Sequence, residues 1–154
     1  MRLGGSLEKA IGNKLVIRVL VVDDFAPWRD FVFERLRENH KLRIIGVASD
    51  GLEAVLKAQM LQPDLILLDI GLPKLDGIEA ARRIRNAAPE SKILFLSQGS
   101  DLDVARAALS AGAHGYVVKA EAEDGLIGSI EAVMEGKRHV TCGVAGYSNG
   151  TILD

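Results

Sequence analysis

Leu65, Ile66, Leu67 and Leu68 are apolar without alternation, and Asp69 follows two positions before a glycine. An unalternating run of this kind suits a central strand of a parallel sheet, covered on both faces. Val16 to Val22 reads as a second buried strand, interrupted only by Arg18, and Leu42 to Ala48, Ile93 to Leu96 and Tyr116 to Val118 read as three more. Segments of helical period lie between them. Asp50 with Glu53, and Asp76 with Glu79, have the spacing of a capping box. Ser100, before Asp101 and Asp103, offers a cap and an acidic first turn, and Pro27 suits the first turn of a helix reaching about Arg37. A last helix is expected over about Glu123 to Glu135, with Leu126, Ile127, Ile130, Val133 and Met134 on its apolar face despite Gly125 and Gly128. Five strands alternating with five helices predict an α/β fold, a doubly wound parallel sheet with helices on both faces.

The chain has 154 residues and a net charge of −2, which fits one domain and argues against non-specific binding of nucleic acid or of an anionic membrane. The longest wholly apolar runs are four residues, so no bilayer-crossing span is expected, and the first dozen residues contain no signal-peptide core. A single cysteine, Cys142, forbids an internal disulfide and a cysteine-based zinc site. These features predict a soluble, cytoplasmic protein. Thr141 to Asp154 holds Gly143, Gly146 and Gly150 without periodicity and reads as a tail or the start of a linker.

Ligand sites in such sheets lie at the carboxyl ends of the strands. The first strand ends in Asp23 and Asp24, the third in Asp69, the fourth in Ser97, and the fifth just before Lys119. Each residue alone is an ordinary cap, turn former or surface charge. Together they bring three carboxylates, a hydroxyl and an ammonium to one edge. Unit charges 4 Å apart repel by about 4 kcal/mol at an effective dielectric of 20, so the acids call for a cation, and an all-oxygen set suits Mg²⁺. A carboxylate beside that ion is a competent nucleophile toward phosphorus, with Lys119 and Ser97 available for the phosphoryl oxygens. No P-loop, GxGxxG or GxSxG pattern competes. His40, His114 and His139 lack ligand spacing and are expected in surface or turn roles.

VLVVDD at 19–24, DLILLDIGLPKLDG at 64–77, ILFLS at 93–97 and GAHGYVVK at 112–119 resemble the receiver domain of two-component response regulators. The likeness is closest to the subfamily that often carries a C-terminal helix-turn-helix, for which the 16 residues after Arg138 are too few. It implies a five-stranded, flavodoxin-like fold of strand order 2-1-3-4-5. The implied boundaries are an unassigned segment 1–14, a receiver domain over 15–139 and a tail over 140–154. By the same resemblance Asp69 is the phosphoacceptor. Asp23, Asp24, Asp69 and the main-chain carbonyl of Gly71 hold Mg²⁺, Ser97 and Tyr116 are the switch pair, and Lys119 pairs with the phosphoryl group. Lys119 is followed by Ala120 where many members have proline.

The function this implies is a signalling switch, not an enzyme acting on other substrates. A histidine kinase or phosphotransfer protein donates a phosphoryl group to Asp69. Ser97 is drawn inward, Tyr116 turns in, and the fourth helix, fifth strand and fifth helix are re-presented to a partner. Pairing of phosphorylated chains through those helices would use the interleaved charges Asp101, Asp103, Arg106 and Lys119 to Glu123. Two alternatives are weaker. A receiver-like interaction module without phosphorylation does not need the intact acids, Ser and Lys. A Mg²⁺-dependent aspartyl phosphatase needs a second general acid, which Ile70 and Gly71 do not supply. On the first helix, Phe31 is expected in the core, Trp28 beside the site where a phosphodonor docks, and Phe33 substantially exposed.

Overall fold

The structure, a computed structural model, describes residues 16–99, 101–141 and 150–152. The segment 1–14 and the capping role expected of Ser100 lie outside the described residues. The strands are β1 (Ile17–Val22), β2 (Leu42–Ala48), β3 (Leu65–Asp69), β4 (Lys92–Ser97), β5 (Gly115–Val118), β6 (Arg138–Val140) and β7 (Gly150–Ile152). The helices are α1 (Ala26–Arg37), α2 (Gly51–Leu61), α3 (Gly77–Ala87), α4 (Leu102–Ser110) and α5 (Ala122–Met134), with a 3₁₀ turn at Lys119–Glu121. The sheet runs β2-β1-β3-β4-β5-β6-β7, with β1 to β6 parallel and β7 antiparallel on the edge.

Alternate side chains of the central strands enter opposite cores. Leu65, Leu67, Val19, Val21, Leu94 and Leu96 join Val32, Leu36, Leu126 and Ile130 of α1 and α5. Ile66, Leu68, Leu20, Val22, Ile93 and Phe95 join Ala54, Ala58, Ile84 and Ala105 of α2, α3 and α4. Every side chain of β3 is buried, and each fully buried aliphatic stabilises by roughly 1.5–3 kcal/mol. The absence of alternation in the sequence is therefore the direct imprint of helices on both faces. Arg18, the one polar residue inside β1, serves the next crossover. Its guanidinium donates to the carbonyls of Leu61 (2.7 Å) and Gln62 (2.8 Å), closing the C-terminus of α2.

Three local expectations change. The cap of α4 is Asp101, whose carboxylate accepts from the amides of Asp103 and Val104. Asp76 caps α3 through the amides of Ile78 and Glu79, but Glu79 pairs with Arg82 and Arg83 instead of reaching back to complete a box. Phe33 is half-buried against the α1/α5 core, as are Trp28 and Phe31. The 100° step assigned Phe33 to the opposite edge, but the flank of α1 is still covered there.

The larger correction lies beyond α5. The sheet is not five-stranded, because Arg138–Val140 pairs in parallel with β5 through Gly115↔His139 and Tyr116↔Val140, and Gly150–Ile152 pairs with β6. Strands of three residues are too short to show periodicity, so β6 went unread and composition alone made 141–154, which holds β7, a tail. Thr141 fixes the junction. Its amide donates to the Tyr116 carbonyl (3.2 Å), and its buried hydroxyl accepts from the Val118 amide (3.0 Å), the last residue before Lys119. Thr141→Val keeps the shape and leaves the Val118 amide without its acceptor, a loss of about 1–3 kcal/mol. Urea unfolding of the two chains measures it; an unchanged midpoint would show that this bond does not hold the junction.

Candidate functional site

The register of the strands sets the positions of the site residues. Val22 lies opposite Leu68, so Asp23 and Asp69 leave the sheet at the same level, and Ser97 pairs across to Val118, which places Lys119 one residue further along. Behind Asp69, the Asp76–Gly77 pair has separate duties: Asp76 caps α3, and Gly77 lets the helix start against the strand. A Cβ at Gly77 would stand 2.3 Å from the Asp69 carbonyl oxygen and 2.7 Å from the Ile70 Cα. Only glycine permits that approach.

One oxygen from each of Asp23, Asp24 and Asp69 lies within 4.8 Å of the others, with Asp23 and Asp69 buried and Asp24 exposed. Asp23 is anchored: its Oδ1 accepts from the Phe25 amide (2.9 Å), and its carbonyl accepts from Arg29 (2.6 Å). The Lys119 ammonium sits 2.7 Å from Asp23 Oδ2 and 3.6 Å from Asp69 Oδ1. It also lies over the Trp28 ring, 4.9 Å from the centroid. Burial, and then the charge of Asp23, push the Asp69 carboxyl above its ordinary range, while Lys119 and the Gly71 amide pull the other way. The three clustered carboxylates outnumber the one ammonium that the cleft holds among the described residues.

Asp23, Asp24, Asp69 and Lys119 line one cleft of about 400 Å³, together with Phe25, Gly71, Ser97, Gly99 and Val104. A Cβ at Gly71 or Gly99 would meet nothing within 4 Å, so the cleft is open on both sides of Asp69. Ser97 Oγ accepts from the Gly99 amide (3.2 Å), and the Tyr116 hydroxyl donates to the Gly99 carbonyl (2.9 Å). Tyr116 is fully buried, so its ring already stands inward. The donor set of three carboxylate side chains and an open carbonyl position fits a hard divalent cation such as Mg²⁺.

The structure thus gathers Asp23, Asp24, Asp69, Gly71, Ser97 and Lys119 into one cleft and ties Tyr116 to it through Gly99. Lys119 leaves the group of surface charges with which the sequence placed it, because its ammonium is buried among the acids. Asp101, Asp103 and Arg106 are exposed as expected. Phe25 was missed, although it lines the cleft and is 55% exposed; its place directly after two strand-end acids was the available signal. His114 is half-buried and its Nδ1 accepts from the Ile93 amide, so burial lowers its pKa to about 4 and its role is structural.

A doubly wound sheet with clustered acids, a hydroxyl and a lysine on its carboxyl edge is the architecture of a receiver-type signalling domain. The chain belongs to the response regulator receiver domain family, whose model matches residues 19–131. It is 32% identical over 130 residues to the response regulator GacA of Pseudomonas protegens, covering 84% of this chain and 61% of that protein. It is 31% identical to the transcriptional regulatory protein DegU of Brevibacillus brevis, covering 83% of this chain and 54% of that one. A crystal structure of a LuxR-family two-component response regulator from Aurantimonas superposes with a TM-score of 0.76 at 30% identity, over 82% of this chain and 89% of that one. The chain spans about three-fifths or less of the length of these two curated relatives. Among the described residues no helix is long and apolar enough to cross a membrane.

With the folded-state pKa of Asp69 raised, ionising its carboxyl is a net cost in the folded protein. Asp69→Asn is therefore expected to raise the melting temperature in the absence of divalent cations. Mg²⁺ should raise that of the unsubstituted chain and do less for the variant. Differential scanning calorimetry with and without chelator reads both; a lower melting temperature for the variant in chelator would count against a repulsive cluster.

Proposed function

We propose that this chain is the phosphoacceptor switch of a two-component system, with Asp69 receiving the phosphoryl group. The observation that carries this reading is the convergence of three carboxylates and one buried ammonium on an open cleft at the carboxyl edge of the sheet. A carboxylate oxygen of Asp69 attacks phosphorus as the P–N bond to the donor histidine breaks. The bonding pair leaves with the imidazole, and an acyl phosphate forms. Lys119, already between Asp23 and Asp69, needs only a small shift to pair with the new phosphoryl oxygens. A Mg²⁺ ion held by Asp23, Asp24, Asp69 and the Gly71 carbonyl would neutralise negative charge on the carboxylates and the phosphoryl oxygens.

Ser97 can donate its hydroxyl proton to the phosphoryl group while its oxygen still accepts from the Gly99 amide. Because Tyr116 is already inward, its ring need not swing for the signal to pass. The Gly99 carbonyl joins the Ser97 loop to the Tyr116 hydroxyl, so a shift of Ser97 reaches β5 and α4 through that bond. The donor is a histidine kinase or a histidine phosphotransfer protein. The output is a changed α4-β5-α5 face, read by a partner, by an effector segment or by a second phosphorylated chain paired through the exposed charges of α4.

Incubation with acetyl phosphate and Mg²⁺, followed by intact mass, tests the reading. A single phosphoryl adduct on the unsubstituted chain, absent from Asp69→Ala, is the expected result. No adduct would indicate an interaction module that keeps the fold without the chemistry, and multiple turnover of donor without a persisting adduct would indicate a phosphatase.

A further inference from the structure

Trp28 is one turn into α1 and does not touch the acids, yet it is the third group around the Lys119 ammonium. Its ring centroid is 4.9 Å from Lys119 Nζ, which also lies 2.7 Å from Asp23 Oδ2 and 3.6 Å from Asp69 Oδ1. The ring is backed by Phe31, stacked at 4.8 Å and 29°, and Phe31 in turn carries the Arg35 guanidinium at 5.0 Å. Two cations therefore lie against a pair of stacked rings of α1. The indole Nε1 is buried and has no hydrogen-bond partner among the described residues. A tryptophan normally places that donor on an acceptor when it is buried. The ring's polar edge contributes nothing here, so its negative face is what the site uses.

From this geometry we infer that Trp28 is a positioning residue for Lys119, holding the ammonium between Asp23 and the phosphoacceptor Asp69. A lysine head on a four-carbon stem has many rotamers, and the anions alone do not select one that reaches both acids. Asp23, at 2.7 Å, is the nearer anion and would draw the ammonium from Asp69, at 3.6 Å. A second cleft of about 340 Å³, walled by Phe25, Trp28, Gln98, Lys119 and Ala120, offers the stem another path. The indole face closes that path and attracts the cation at the same time. Its attraction does not depend on which anion is present, so Lys119 can pass from carboxylate to phosphoryl oxygen without leaving the ring. Tryptophan is the strongest of the aromatic faces for this purpose.

The inference rests on the reading of Lys119 as the cation that pairs with the phosphoryl group, and the experiment separates the two. Proton NMR of the unsubstituted chain is expected to show the Lys119 ε-methylene protons shifted upfield by the ring current of Trp28. The shift should persist in Trp28→Phe and vanish in Trp28→Leu, which keeps apolar bulk without a π face. With acetyl phosphate and Mg²⁺, Trp28→Phe should be phosphorylated within about twofold of the unsubstituted rate, and Trp28→Leu about five- to tenfold more slowly, the range of a partly desolvated cation–π contact. A role confined to packing would lower melting temperature without slowing phosphorylation of the folded variant, and that result overturns the inference. An unshifted Lys119 resonance in the unsubstituted chain overturns the inference, as does a folded Trp28→Leu that reacts at the unsubstituted rate. If the unsubstituted chain takes no phosphoryl group at all, the reading of Asp69 fails, while the ring-current shift still decides the contact.

Discussion

Mutual repulsion among Asp23, Asp24 and Asp69 is the interaction around which the rest of the molecule is arranged. Two of the three are buried, and their oxygens lie within 4.8 Å of each other. At about 4 kcal/mol per pair at 4 Å and an effective dielectric of 20, this is a substantial cost for a domain of this size. The fold sustains it with rigid backbone. Asp23 is tied to Phe25 and Arg29, Asp69 ends a wholly buried strand, and Gly77 packs α3 directly against the Asp69 backbone. A site strained by like charges is responsive to any added cation or to conversion of one carboxylate to another group. The same charges that destabilise the resting fold give it sensitivity.

Lys119 connects this electrostatic problem to the rest of the chain. It follows β5 immediately, and β5 is held on its outer side by Thr141 at Val118 and Tyr116, and on its inner side by the pairing with β4. A displacement of the ammonium therefore reaches the backbone at a point braced by the C-terminal strands. Tyr116 joins the same region through its hydroxyl on Gly99 and its carbonyl on the Thr141 amide. The site and the outer edge of the sheet are within two residues of each other on β5.

How much of this the sequence disclosed follows from the reach of each signal. The unalternating run Leu65 to Leu68 determined the two-sided core, and the acids, Ser97 and Lys119 were legible because a parallel sheet delivers every strand end to one edge. Local chemistry was less complete. Asp101 caps α4, and Phe33 is covered although its helical phase pointed outward, since capping and flank coverage depend on neighbours that a helical wheel does not contain. β6 and β7 were illegible because strands of three residues draw their stability from a partner already in place. Tyr116 was identified as a switch aromatic by resemblance, but its inward placement depends on the Gly99 carbonyl, a tertiary contact. Trp28 was placed beside the site because it lies four residues past Asp24; its contact with Lys119 required the tertiary structure.

The central claim, that burial and neighbouring charge hold Asp69 in a cluster short of positive charge, is tested most directly by following its side-chain carboxyl carbon by NMR across a pH titration, with chelator and then with Mg²⁺. The account predicts a titration midpoint above the ordinary aspartate range in chelator and a fall in that midpoint when Mg²⁺ is present. A midpoint at or below the ordinary range in chelator, or one indifferent to Mg²⁺, would contradict it.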